Sequence, residues 1–95
     1  MAGLDPLIHA PARLQLLTTL TAVSAAEFST LREALGVSDS VLSKHISTLV
    51  AAGYVRSRKG MHDGRRTTWV GLTDAGRTAL RCHVAALRRL IDVVE

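Results

Sequence analysis

The chain has 95 residues, room for one domain and not for two. Hydrophobic residues make up 47% and aromatics 3%, with Phe28, Tyr54 and Trp69 as the whole aromatic set. The core is therefore expected to be aliphatic, and a stacking platform for unpaired bases is argued against. The formal charge of +4 points to a polyanionic partner, while the single Cys82 rules out an internal disulfide framework and any cysteine-pair zinc site.

Asp5-Pro6 predicts a helix start, a capping carboxylate followed by proline at the first helical position. Pro11 interrupts or restarts that helix one turn later. Leu14, Leu17, Leu20 and Val23 recur every three residues, with Leu16 beside them, and predict a core helix from Ala12 to Val23. Glu27-Phe28 reads as a short extended piece. Ser29 is the expected cap of a short helix, Thr30 to Leu35, with Leu31, Ala34 and Leu35 on its apolar face and Gly36 as its stop. Ser38 should cap the next helix, which places Asp39 near its positive end. That helix is expected to reach about Ala52, burying Leu42, Ile46 and Leu49 and ending at Gly53. Tyr54 to Lys59 and Arg65 to Leu72 are β-prone runs joined by a turn-rich loop at 60–64, which predicts a hairpin. Thr73-Asp74 starts a last helix, about Ala75 to Val94.

This order is that of an α+β winged helix-turn-helix: helices plus a two-stranded β-hairpin wing. A single domain is expected over 1–95. The helix-turn-helix would span about 29–52, the wing about 54–72 and the terminal helix about 74–94.

The turn Leu35-Gly36-Val37-Ser38 is short, so its two helices must cross steeply. Opposite the apolar stripe of the second helix lie Ser40, Ser43, Lys44 and Ser47, with His45 at the border. Three small hydroxyls and one lysine make a slim surface that fits a major groove about 12 Å wide. The serines can donate to phosphate or base edge, and Lys44 can neutralise a phosphate. The plainer alternative is a solvated helix face. In the wing, Arg56, Arg58, Lys59, Arg65 and Arg66 crowd toward a glycine-bounded tip opposed only by Asp63. Such a tip should bind duplex DNA in a salt-sensitive way. Its alternative is an edge hairpin that cations protect from aggregation.

The run VSDSVLSKHISTLVAAGYVRSRKG resembles the recognition helix and wing of bacterial winged-helix transcriptional regulators of the MarR and ArsR type. RRTTWVGLTDAGRTAL is similar to their second wing strand and following helix, and LDPLIHAPARLQLLTTL to the first helix of a small single-domain branch. The resemblance implies that Ser38, Ser40, Ser43, Lys44, His45 and Ser47 face the major groove or its phosphates. It implies wing contacts from Lys59, His62, Arg65 and Arg66, and backbone contacts from Thr30 and Arg32. Asp39 stands apart, because its charge would oppose phosphate unless it accepts from cytosine. The implied function is a cytoplasmic, sequence-specific regulator of transcription, a repressor, binding double-stranded DNA.

Leu80, Val84, Leu87, Ile91 and Val94 follow the 4-3-4-3 spacing of a coiled-coil seam, with Ala79, Ala86, Leu90 and Val93 as a second stripe. One stripe is expected on the domain and the other on a second copy. Leu4, Leu7 and Ile8 are expected to join that homodimer interface, and Arg77, Arg81, Arg88 and Arg89 to flank it. His9, His45, His62 and His83 form no cysteine-assisted or closely spaced ligand set, so no metal or cofactor is expected. Cys82 is expected to be a small buried hydrophobe. No nucleophile, base and orienting group can be assembled, so no catalysis is expected. No secretory signal or membrane span is read from the sequence. Two alternatives stay open: a winged-helix module for protein–protein contact, and a metal- or ligand-responsive sensor with an unidentified small-molecule effector.

Overall fold

The computed structural model describes residues 3–94. The expected span of 1–95 therefore includes three positions, 1, 2 and 95, that lie outside the described residues. The elements in chain order are α1 (Pro6–His9), α2 (Pro11–Leu20), β1 (Ala26–Glu27), α3 (Phe28–Leu35), α4 (Asp39–Ala51), β2 (Val55–His62), β3 (Arg65–Leu72) and α5 (Asp74–Val94).

Local chemistry sets most of the boundaries. The Asp5 carboxylate accepts from the Leu7 amide at 2.9 Å and caps α1. Ala10 is extended, as the residue before a proline prefers, and this splits α1 from α2. Gly36 ends α3 in the left-handed region at φ 66°, where a side chain would be strained. Two residues on, Ser38 restarts the chain by accepting from the Val41 amide at 3.3 Å. The α3–α4 turn is thus written into one glycine and one serine.

The sheet is antiparallel in the order β1-β3-β2. The wing is therefore joined by a third strand: Ala26 pairs with Val70 and Glu27 with Trp69. The extended piece expected at 27–28 is real but begins one residue earlier, and Phe28 already opens α3, whose cap position is Glu27 and not Ser29. The expected five-residue loop is a correction of larger size. Pairing continues to His62↔Arg65, leaving only Asp63-Gly64 as the turn. Both residues take positive φ, 51° and 76°, as a two-residue hairpin with the right-handed strand twist requires.

The core is aliphatic. Ile8, Leu16, Leu17 and Leu20 meet Leu31, Leu42, Ile46 and Leu49 from the helix-turn-helix, with Val55, Val70, Leu72 and Leu80 closing it. Each fully buried leucine or isoleucine contributes about 1.5–3 kcal/mol. The helix α2 stops at Leu20, so Val23 stands 43% exposed instead of completing the stripe. Ala34 likewise faces solvent. Cys82 is exposed and not buried; the neighbouring His83 occupies the interior, fully inaccessible.

The base of the wing is locked to α5. The Thr73 hydroxyl donates to the Gly53 carbonyl at 2.6 Å and accepts from the Gly76 amide at 2.9 Å. A Cβ on Gly76 would stand 2.0 Å from the Tyr54 carbonyl oxygen, so only glycine lets α5 pass here. The same corner holds His83, whose Nδ1 accepts from the Asp5 amide at 3.0 Å, and Tyr54, whose hydroxyl donates to Asp5 Oδ2 at 2.6 Å.

The two apolar stripes of α5 part along its length as well as around it. Gly76, Leu80, His83 and Ala86 are buried, and Val84 packs on the core. Beyond Arg89 both stripes emerge: Leu90 and Ile91 are 53% exposed, Val93 and Val94 85%. Ile8 and Leu80, expected between copies, lie instead in the domain's own core. Leu4, Leu7 and Leu87 are half-buried.

Candidate nucleic-acid interface

Helix α4 turns Leu42, Ile46 and Leu49 inward, and this leaves Ser40, Ser43, Lys44 and Ser47 exposed on its outer side. Among the described residues, none covers them. Ser38, at the cap, shares its hydroxyl with that of Ser40 at 3.2 Å. Only Lys44 brings net charge to this face, because Asp39 is paired. Its Oδ1 accepts from Arg32 Nη1 at 2.8 Å, across the helix-turn-helix junction. That hydrogen bond, and then the Asp39 charge, raise the Arg32 pKa further. Arg32 is thus engaged in neutralising the carboxylate that would repel a phosphate. Thr30, also expected at the backbone, is exposed on α3.

His45 lies on the flank of α4, half-buried against α2. Its Nδ1 is 3.3 Å from Arg13 Nη1, while Arg13 Nε donates to the Leu7 carbonyl. Burial lowers the His45 pKa, and the charges of Arg13 and Lys44 lower it further. Nothing in the sequence marks Arg13, since thirty-two positions, with β1 and α3 among them, separate it from His45.

The register of β2 with β3 divides the wing cations between two faces. Side chains alternate along a strand. Arg56 and Arg58 therefore share a face with Arg65, opposite Gly71, Trp69 and His62 respectively, while Lys59 and Arg66 share the other. Lys59 Nζ donates to Thr68 Oγ1 at 2.9 Å, which steadies it. The structure brings Lys59, Arg65 and Arg66 to the outer half of the hairpin, all exposed. His62 is placed differently from the other expected wing contacts. Its Nε2 lies 3.4 Å from Glu27 Oε1 and 3.3 Å from Asp63 Oδ2, and its ring stands edge-on to Trp69 at 5.7 Å. It lines a polar cavity of about 400 Å³ with Glu27, Ser29, Asp63, Arg65, Arg66 and Thr67.

At the far end, Leu4, Ala86, Leu90 and Val93 line an apolar groove of about 380 Å³. Among the described residues, no group of three or more His, Cys, Asp or Glu side chains could hold a metal ion. No described helix is long and apolar enough to cross a membrane.

Comparison with known proteins agrees with the winged-helix fold. The family model of the winged helix DNA-binding domain matches residues 12–91. The chain is 29% identical over 83 residues to an uncharacterized protein of Methanocaldococcus jannaschii, covering 87% of this chain and 90% of the relative. Among solved structures it is similar to a transcriptional regulator homologue from Pyrococcus horikoshii OT3, with TM-score 0.88 and 28% identity, covering 94% of this chain and 88% of the other. The fold is also shared with the PcaV transcriptional regulator of Streptomyces coelicolor, solved with its natural ligand: TM-score 0.78, 24% identity, 96% of this chain and 63% of that one.

Proposed function

This chain belongs to the winged helix DNA-binding domain family, and we propose that it is a sequence-specific transcriptional repressor that binds double-stranded DNA as a homodimer. The observation that carries this reading is the uncovered outer face of α4. Among the described residues, no element packs over Ser40, Ser43, Lys44 and Ser47, and a projecting cationic hairpin follows them. Serines are poor helix formers, so a surface helix rich in them sacrifices stability that groove entry would explain. The slim face would sit on base edges, and Lys59, Arg65 and Arg66 on flanking phosphates. A domain seated on an operator acts by occupying it, which is why repression is the mode proposed.

The homodimer is supported by the emergent end of α5. Leu90, Ile91, Val93 and Val94, continuous with the groove beside Leu4, form an apolar surface that a second copy would cover. Two copies would present two α4 helices to half-sites about one helical turn, 34–36 Å, apart.

Selection from a random duplex library tests the reading, together with the mass of the protein in solution. The expected result is an enriched motif with two-fold symmetry and a dimeric mass. Binding that is weak, fully salt-labile and indifferent to sequence would overturn it in favour of a protein–protein module.

A further inference from the structure

We infer that Arg13 is a positioning residue that fixes His45 as a neutral ring, so that His45 Nε2–H donates to a hydrogen-bond acceptor on a base edge in the major groove. This rests on the placement of α4 proposed above.

The chemistry begins with Arg13. A guanidinium has five N–H donors and no acceptor. At 3.3 Å from Arg13 Nη1, His45 Nδ1 can therefore only accept. The proton of the neutral ring is then on Nε2. A doubly protonated ring would set an N–H and a positive charge against the guanidinium. Burial, Arg13 and Lys44 all disfavour that form. Arg13 is itself held, because its Nε donates to the Leu7 carbonyl in α1. The ring thus has one tautomer and one fixed edge.

The other edge is open. Among the described residues, no group hydrogen-bonds to Nε2. The ring borders a small dish of about 140 Å³ on α4 with Ser40, Val41 and Lys44. Serine hydroxyls donate or accept, and so tolerate several bases; Nε2–H only donates. In the major groove guanine offers O6 and N7, adenine N7 and thymine O4, whereas cytosine offers its amino donor. The pair Arg13–His45 would therefore disfavour cytosine at one position of each half-site. One hydrogen bond of this kind gives about a fivefold to tenfold preference.

The test has two parts. In the 15N-labelled chain, long-range 15N–1H spectra should show His45 protonated at Nε2; a ring protonated at Nδ1 overturns the inference outright. Library selection is then run with the native chain, His45→Ala, His45→Gln, Arg13→Met and the Arg13→Met/His45→Ala double variant. One motif column of the native chain should disfavour cytosine by fivefold to tenfold. His45→Ala and Arg13→Met should each flatten that column, the double variant no further than either. His45→Gln, whose amide nitrogen lies near the Nε2 position, should keep part of the bias. A column unchanged in His45→Ala, a uniform loss on all sequences (a phosphate contact), or bias retained in Arg13→Met overturns it. In each of those three outcomes the native motif persists, so the regulator reading stands. A native chain that enriches no motif removes both.

Discussion

The outer face of α4 and the β2–β3 hairpin are both exposed and polar, yet they are built in opposite ways. The α4 face presents serines and a single lysine, and the one carboxylate at its start is cancelled by Arg32. The hairpin holds five of the twelve basic residues, Arg56, Arg58, Lys59, Arg65 and Arg66, spread over both faces of a two-stranded ribbon. Small, nearly neutral groups discriminate by shape and hydrogen bonding, whereas dispersed cations attract any polyanion. On the proposed reading, selectivity and affinity are lodged in separate elements, tied together through the core, the short 52–54 link and the Thr73–Gly53 corner.

The sharpest way to break this division is to thicken the reading face. Ser47→Trp should lower affinity for a selected duplex by about a thousandfold, to the level of indifferent DNA. Because Ser47 is exposed, the melting temperature should stay unchanged. Fluorescence anisotropy and a thermal melt check both; retained tight binding would show that another face is seated. The next effect belongs to the wing. Arg65→Ala with Arg66→Ala should weaken binding to every duplex alike and reduce the slope of log K against log salt by about 1.8, at about 0.9 per phosphate. The selected motif should survive, as a titration series in salt followed by selection would reveal. Lys44→Ala should behave as a smaller version of the same loss, reducing the slope by about 0.9, although it lies on α4. If Lys44→Ala alters the motif instead, the division between reading and gripping does not run between these elements.

The smallest effect is one of pH on the scaffold. The folded chain holds His45 and His83 below the ordinary histidine value of 6.5, chiefly by burial. Above pH 6.5 both rings are neutral folded or unfolded, and their contribution to stability is intact. As pH falls below 6.5 the unfolded chain takes up protons that the folded chain refuses, so stability declines. The decline levels off once the folded rings also protonate. Melting curves should fall by a few degrees over that window, and His83→Gln should flatten the dependence. An unchanged melting temperature down to pH 5 would contradict it.

Much of the fold was legible because its signals are local. Asp5-Pro6, Gly36 and Ser38 each announce a boundary through their own chemistry, and Leu42, Ile46 and Leu49 announce a buried face through period alone. The losses came where distant residues decide. Strand β1 exists only because Ala26 meets Val70, and a pair of residues carries no pattern of its own. Helical period is equally blind to which of two adjacent α5 residues turns inward: Cys82, expected in the interior, is exposed, and its neighbour His83 is the buried one. The hairpin tip is another matter: Asp63-Gly64 is a two-residue turn signal in plain view, and Gly60 obscures it by adding a second glycine to the same stretch. Of the interface, the exposed serines and cations were readable from spacing. Asp39's neutralisation by Arg32, the Arg13–His45 pair and the turning of His62 toward Glu27 needed three dimensions.

Gly60 owes its place to a different constraint, and that constraint has a practical use. Its absent side chain leaves room for the indole of Trp69, which would otherwise stand 2.8 Å from a Cβ. The only tryptophan of the chain is therefore lodged in the wing, across from Arg58 and beside His62. The protein carries its own fluorophore at the place where nucleic acid is proposed to arrive, so docking of the hairpin can be followed by emission from unlabelled material.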